Sequence, residues 1–130
     1  MYGFNVTLKT TVPEAIARVT EALSAEGFGV LTEIDVAGTL KKKLDVERRP
    51  YHILGACNPQ LANQALQADP DIGLLLPCNV VVREEEDGTV NVGFMDPVAV
   101  MGLVDKEGVE TLANDVRSRL ERVRDQLLAV

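Results

Sequence analysis

The sequence is poor in the side chains on which many active sites depend. Its 130 residues include one histidine, two cysteines and no tryptophan, and only 4% of them are aromatic. A Ser-His-Asp catalytic triad would therefore have to use His52. No apolar run approaches the roughly 18 residues that cross a bilayer, so neither a membrane span nor a membrane partner is predicted. The opening residues have no basic start and no apolar core, and we expect no signal peptide.

The charge balance excludes another class of partner. Twenty acidic and thirteen basic residues give a net charge of −7. Because nucleic-acid binding needs clustered cations that neutralise phosphates, we predict no nucleic-acid partner. The hydrophobic content of 46% is ordinary for a globular chain, and the length predicts a single domain over residues 1–130. Two cysteines without a secretory signal indicate free thiols and a cytoplasmic location.

Hydrophobic periodicity predicts the order strand, helix, strand, short helix, strand, helix, hairpin, long helix. Thr11 and Glu14 predict a capping box at the first helix, in which each side chain binds the other residue's backbone N–H, and Gly27 predicts the left-handed end of that helix. The last helix is expected from about residue 105 to residue 128. Few strands and tight connections favour an α+β fold, with a largely antiparallel sheet of about five strands and helices on one face.

The predicted hairpin has a register that can be argued from its side chains. A three-residue loop at residues 86–88, with its glycine in the left-handed conformation, pairs Val82 with Val92 and Val80 with Phe94. A two-residue loop would mix the valines with charged side chains on one face. Because one face of a half-buried sheet must stay apolar, we predict the three-residue loop.

The apolar faces of the predicted strands and helices define the expected core. In the second strand, Val30 and Ile34 are expected to face the helices, whereas Leu31, Glu33 and Asp35 are expected to face away. The complete expected core consists of Phe4, Val6, Val19, Leu23, Val30, Ile34, Val82, Val92, Leu112, Val116 and Leu120.

His52 is the only side chain that titrates near neutrality without help. We expect it on the non-helical face of the sheet, together with Leu54. The charged residues expected on that same face are Glu33, Asp35 and Arg83. Such a set could bind a small polar ligand or perform acid–base chemistry. The alternative is a set of ordinary polar side chains on an exposed strand face.

The two cysteines stand in similar contexts, each directly before an asparagine. Cys57 precedes Asn58, which with Pro59 predicts a helix start, and the helix dipole is expected to lower the pKa of the Cys57 thiol. If Cys57 and Cys78 meet, they could form a redox pair or bind a soft metal ion. The alternative is that both are small buried hydrophobic residues, because their separation matches no metal-binding motif.

The non-helical face also carries apolar residues, which suggests a surface for self-association. We expect the interface near Leu31, Val81 and Met95, where Gly29 and Gly93 would allow close approach. The alternative is the exposed side of the last helix, through Arg117, Glu121 and Arg124.

Residues 41–49 form a basic segment in an acidic chain. Five basic and two acidic residues give this segment a net charge of +3, which leaves −10 for the rest. It could hold an anionic ligand or meet the acidic run at residues 84–87 of a second copy. The alternative is a solvated helix face.

Four segments together resemble the family called domain of unknown function 302. They are GFGVLTEIDV (27–36), LGACNPQLANQAL (54–66), IGLLLPCNVVVREEEDGTV (72–90) and MDP (95–97). The resemblance implies a TATA-box-binding-protein-like α+β fold, in which a curved antiparallel sheet has helices on its convex side. It also implies a homodimer, and mostly prokaryotic, cytosolic members. It implies no agreed reaction, cofactor or catalytic residue.

The sequence thus favours a small cytoplasmic homodimer that binds a small ligand or a protein partner and has no assembled catalytic site. No cofactor is predicted. The first alternative is a thiol-based redox or soft-metal-binding protein that uses Cys57 and Cys78. The second is an acid–base enzyme centred on His52, Glu33 and Asp35.

Overall fold

The computed structural model describes residues 1–129. It contains five strands, five α-helices and one 3-10 helix at Pro70–Leu75. The strands are β1 (Gly3–Leu8), β2 (Gly29–Asp35), β3 (Tyr51–Cys57), β4 (Cys78–Glu84) and β5 (Val90–Met95). The helices are α1 (Val12–Ala25), α2 (Val36–Leu44), α3 (Pro59–Ala68), α4 (Pro97–Met101) and α5 (Val109–Leu128).

The strands form one antiparallel sheet in the order β1-β5-β4-β3-β2. The predicted α+β fold with a five-stranded antiparallel sheet is confirmed. Strands β1 and β2 are the two edges, so each has one side without a neighbouring strand. No helix within residues 1–129 is long and apolar enough to cross a membrane.

The main core lies between one face of the sheet and the helices α1 and α5. Side chains that are opposite one another in register, such as Val6 and Val92, point into this core and are buried. Val19 of α1 and Leu120 of α5 cover them from the helix side. A second, smaller cluster joins α3, the 3-10 helix, α4 and the start of α5. Within residues 1–129, the buried residues of α1 and α5 lie on this side of the sheet, and we call the opposite face the open face.

Local signals at helix ends were predicted largely correctly. The Thr11 hydroxyl accepts the Glu14 N–H at 3.3 Å, and Gly27 is left-handed with φ +85°. The second half of the capping box is wrong, because the Glu14 carboxylate accepts from the Thr10 hydroxyl at 2.7 Å. Helix α5 begins at Val109 and not near residue 105, because Gly108 adopts φ +87° immediately before it.

The hairpin register is confirmed. Val82 lies opposite Val92, and Val80 lies opposite Phe94. The turn closes with a bond from the Gly88 N–H to the Glu85 carbonyl at 3.0 Å, and Gly88 is left-handed as predicted.

The expected phase of β2 is wrong beyond its second residue. Val30 lies opposite Ala56 on the helix side, but Thr32 lies opposite Gly55, so a β-bulge at Leu31 shifts the register. The extra residue reverses the alternation, and Ile34 lies on the open face with 50% of its surface exposed. Ile34 is therefore not a core residue.

Candidate functional site

The open face of the sheet contains a depression of about 480 Å³. Alternate residues of β1, β5, β4 and β3 form its floor, because successive side chains on a strand point to opposite faces. Gly93 is central to this floor, and a Cβ atom there would lie 2.8 Å from Asn5 Nδ2. The main lining side chains are Tyr2, Asn5, Tyr51, Asn79, Val81, Arg83 and Met95.

Polar groups at the edge of this depression are partly uncommitted. Arg83 Nε donates to Glu85 Oε1 at 2.8 Å, whereas its two Nη groups have no bond within residues 1–129. Asn5 Nδ2 donates to Asn91 Oδ1 at 2.7 Å. The guanidinium of Arg48 lies 4.9 Å from the centre of the Tyr51 ring. The depression therefore combines apolar walls, amides and the Arg83 guanidinium, and Arg48 lies next to it on the Tyr51 ring.

The four charged or titratable residues expected on one face are divided between the two faces. His52 lies opposite Val82, a core residue, so His52 points to the helix side and not to the open face. Its partner in β2, Asp35, shares that side, as does Glu33 opposite Leu54. Arg83 lies opposite Tyr51 and points to the open face. The prediction reversed the phase of β3, because Leu54 and not Ile53 is fully buried.

His52 and Glu33 do meet, but Asp35 has a different role. His52 Nδ1 lies 3.3 Å from Glu33 Oε2 with poor hydrogen-bond alignment, so this buried nitrogen has no hydrogen-bond partner within residues 1–129. Asp35 caps helix α2, because its Oδ1 accepts the Gly38 N–H at 2.8 Å. An acid–base site would therefore rest on a single histidine–carboxylate pair.

The two cysteines border one apolar pocket beneath the second core cluster, between β3, β4, α3 and α5. Burial and, as a smaller cause, the charge of the nearby Cys57 raise the pKa of Cys78 to about 11. Burial also raises the pKa of Cys57, so the expected lowering by the helix dipole is wrong. Burial disfavours the charged thiolate and so raises the pKa of a thiol.

A disulfide between the cysteines is not favoured by the register. Cys78 lies opposite Ala56, the residue before Cys57. The two cysteines are therefore not a directly opposed pair in the sheet, although both border the same pocket. Both thiols are free.

Asn58 has a structural role that its sequence context predicted. Its Oδ1 accepts the Leu61 N–H at 3.2 Å at the start of α3. The residue is nearly fully buried and lies against Gly27, where a Cβ atom would come within 2.9 Å of Asn58 Nδ2. The cap thus also fixes the contact between α3 and the end of α1.

The lining residues Asn5, Asn79 and Tyr51 were missed by the sequence reasoning. Tyr51 was missed because the expected phase of β3, with His52 and Leu54 on the open face, is the reverse of the observed one. The small residue Ala56, which shares the helix side with Leu54 and is fully buried, could have indicated the correct phase, since a buried strand centre accepts small side chains beneath helices. No group of three or more His, Cys, Asp or Glu side chains within residues 1–129 could hold a metal ion.

Residues 4–127 match the sequence profile of a family described as "Domain of unknown function DUF302". The chain belongs to this family. It is 34% identical, over 98% of both chains and with a TM-score of 0.90, to a crystal structure of an uncharacterized conserved protein DUF302 from Bacillus stearothermophilus. It is also 34% identical over 53 residues to an uncharacterized protein of Aquifex aeolicus. That alignment covers 40% of this chain and 37% of the Aquifex protein.

Proposed function

We propose that this DUF302 protein is a cytoplasmic homodimeric binding module whose open sheet face holds a small ligand. The observation that carries the proposal is the depression of about 480 Å³, which falls within the roughly 300–1,000 Å³ typical of small-molecule sites. The free thiols support the cytoplasmic setting, because such thiols persist in reducing compartments.

The lining chemistry favours a ligand with an apolar body and an anionic group. Val81, Met95 and the Tyr51 ring supply apolar surface. Arg83 supplies uncommitted N–H donors, which suit a carboxylate, sulfonate or phosphate. The amides of Asn5 and Asn79 can fix the orientation of a polar group between these regions. The binding role is favoured over catalysis because the depression contains neither a histidine nor a cysteine.

A fluorescent probe with the same chemistry tests this site. Anilinonaphthalene sulfonate combines an aromatic body with a sulfonate. We expect Arg83→Gln to weaken its binding at least about fivefold, since a charged hydrogen bond contributes roughly 1.5–3 kcal/mol. The matched control is Lys9→Gln, which removes the same charge from the exposed end of β1. Equal affinity for wild type and both variants would show that the probe binds elsewhere.

The dimer is proposed to form through the open face or its edge. Val81 and Met95 are only partly buried in one chain, and their burial against a partner would gain about 25 cal/mol per Å². Leu31 at the bulge is 66% exposed. Val81→Glu is expected to shift the protein to monomer in sedimentation at micromolar concentration. Gln67→Glu, an exposed position on α3, is expected to leave the dimer intact. A dimeric Val81→Glu variant would place the interface elsewhere.

The thiol alternative has one supporting observation. Both cysteines border the same pocket, and the charge of Cys57 raises the pKa of Cys78. A soft metal ion bound there would appear as a stoichiometric metal in the purified protein. We expect instead no stoichiometric metal and two titratable thiols in the unfolded chain. A reversible Cys57–Cys78 disulfide or bound metal would favour the alternative.

A further inference from the structure

Residues 29–49, which comprise β2, α2 and the segment up to Arg49, are poorly covered by the rest of the chain; we call them the basic arm. Six of the seven β2 residues are exposed, and α2 has no buried side chain. Among the described residues, the large apolar side chains exposed on this arm are Leu31, Ile34, Leu44 and Val46.

Helix α2 is too short to owe its stability to its own backbone. An isolated helix of fewer than about 12–15 residues is marginal in water, and protein helices are stabilised chiefly by packing. Its nine residues are capped by Asp35 and by the left-handed Asp45, but they pack only lightly on β3. The arm therefore has both a helix and apolar side chains that lack a cover within one chain.

The basic end of the arm indicates what covers it. The whole arm has five basic and four acidic residues, but its last nine residues, 41–49, carry a net charge of +3. The rest of the chain carries −10, so a second copy offers an acidic surface. The most acidic segment is Glu84–Asp87 at the end of the β4–β5 hairpin, which we call the acidic tip. It lies beside the base of the arm, because the Glu84 N–H donates to the Pro50 carbonyl at 3.0 Å.

The arm and the acidic tip are neighbours within one chain, yet no ion pair joins them in residues 1–129. Lys41 binds Asp45 and Glu47 inside the arm, at 2.7 and 2.6 Å. Glu85 binds Arg83 at 2.8 Å. Lys42 and Lys43 of the arm, and Glu84 and Glu86 of the tip, form no salt bridge within residues 1–129. One corner of the molecule thus presents adjacent basic and acidic patches.

Adjacent patches of opposite charge are self-complementary about a two-fold axis. In a symmetric dimer both subunits use the same surface, so the basic patch of each subunit contacts the acidic patch of the other. We propose that the basic arm of each copy lies against the acidic tip of the other, with Leu44 and the neighbouring apolar side chains between them. This inference rests on the homodimer proposed above and assigns the residues that hold it together.

A charge-swap experiment tests the arrangement. The arm variant is Lys42→Glu with Lys43→Glu, and the tip variant is Glu84→Lys with Glu86→Lys. In a homodimer of either variant, like charges meet at both arm–tip contacts. We therefore expect the dissociation constant of each homodimer to be at least about tenfold higher than that of the wild type at 50 mM salt. The difference should shrink at 500 mM salt, because exposed charges are then screened.

An equimolar mixture of the two variants gives the decisive result. In the mixed dimer the reversed arm of one chain meets the reversed tip of the other, and the two native patches meet likewise. We expect a heterodimer in native mass spectrometry with an affinity near that of the wild type. Leu44→Ser should also weaken the dimer, whereas Leu74→Ser, at a still more exposed leucine on the 3-10 helix, should not.

Three outcomes would overturn the proposal in distinguishable ways. A wild type that stays monomeric at every concentration removes the proposed homodimer itself. A wild-type dimer unaffected by the arm and tip variants keeps the homodimer but removes the arm from its interface. A monomer that binds vesicles with 30% phosphatidylserine through Lys42 and Lys43 would make the arm a lipid-binding surface. Circular dichroism of each variant confirms that the chain is folded.

Discussion

Two of the candidate site residues, Asp35 and Asn58, begin helices. Asp35 accepts the Gly38 N–H at the start of α2, and Asn58 accepts the Leu61 N–H at the start of α3. Asp35 was expected in a polar cluster with His52, whereas Asn58 was expected as a helix cap beside Cys57. The cap was predictable because capping depends on residues within one helical turn.

Asn58→Ala is expected to lower the free energy of unfolding by about 1 kcal/mol, within the usual range of about 0.5–2 kcal/mol for a lost cap. Asn58→Asp keeps the oxygen that accepts the Leu61 N–H and is expected to lose less than half as much. Urea denaturation of the three proteins measures the difference. Equal losses for the two variants would mean that Asn58 acts through its buried contacts with Gly27 and not as a cap.

The pKa of Cys78, raised by burial to about 11, predicts a pH dependence of stability. Between pH 9 and 11 the unfolded chain releases the thiol proton that the folded chain keeps. The free energy of unfolding therefore falls as pH rises through this window, by at most about 3 kcal/mol. Below pH 9 the protonated Cys78 thiol makes its full contribution to the free energy of unfolding.

Cys78→Ala is the control for this dependence. The variant is expected to be less stable at neutral pH, because it leaves a cavity, but to lose less stability between pH 9 and 11. Thermal or urea unfolding at several pH values in that range measures both effects. Parallel pH profiles for wild type and Cys78→Ala would show that Cys78 titrates normally in the folded chain.

Among the single elements, β2 is a strand in which the alternation of apolar and polar residues does not predict the face that each side chain occupies. The sequence predicts regular alternation from Phe28 to Val36, but the bulge at Leu31 reverses it. A bulge depends on how a strand pairs with its neighbour, here β3, and single-strand periodicity does not contain that information. The hairpin register was predictable because the Glu85–Gly88 turn and the valines on both strands are local to one segment.

The reversed phases of β2 and β3 predict opposite effects of two truncations. Leu54 is fully buried, so Leu54→Ala is expected to cost about 2–5 kcal/mol of unfolding free energy. Ile34 was expected in the core but is half-exposed, so Ile34→Ala is expected to cost less than about 1 kcal/mol. Unfolding is measured on dilute protein, so that association does not contribute. A larger loss of unfolding free energy for Ile34→Ala than for Leu54→Ala would mean that the strand phases expected from the sequence are the correct ones.

Helix α5 was predicted in the orientation that the structure shows. Its apolar residues recur every three or four positions, and Leu120 is fully buried while Leu128 is 59% exposed. Leu120→Ala is expected to cost about 2–5 kcal/mol, and Leu128→Ala is expected to change stability by no more than about 0.5 kcal/mol. Denaturant unfolding compares them, and similar small losses would mean that the helix is rotated.

For the whole molecule, the sheet separates two environments. Its helix side is filled by α1 and α5, and holds the His52–Glu33 pair at its margin. Its open face carries the depression with Arg83 and Tyr51. The expectation that His52 and Arg83 would act together therefore fails, because the sheet lies between them. The proposed ligand site depends on Arg83 and the amides, and not on the histidine.

The fold class was predictable from the sequence, but the site was not. Five short alternating strands and amphipathic helices predict an α+β sheet with one covered face. The strand order and the relative phases of β3 and β4 decide which side chains share the depression, and they come from long-range pairing such as Tyr51 with Arg83. Asn5 and Asn79 are far apart in sequence and line the same depression because β5 pairs with both β1 and β4.

The central claim is that the open face is the functional surface of a homodimer. Native mass spectrometry of gently purified wild type and Val81→Glu tests it most directly, because one spectrum reports both the subunit number and any bound small molecule. The account predicts a wild-type dimer that carries a non-covalent mass, and a Val81→Glu monomer without it. A wild-type monomer free of added mass, or a bound mass that persists in Val81→Glu, would contradict the account.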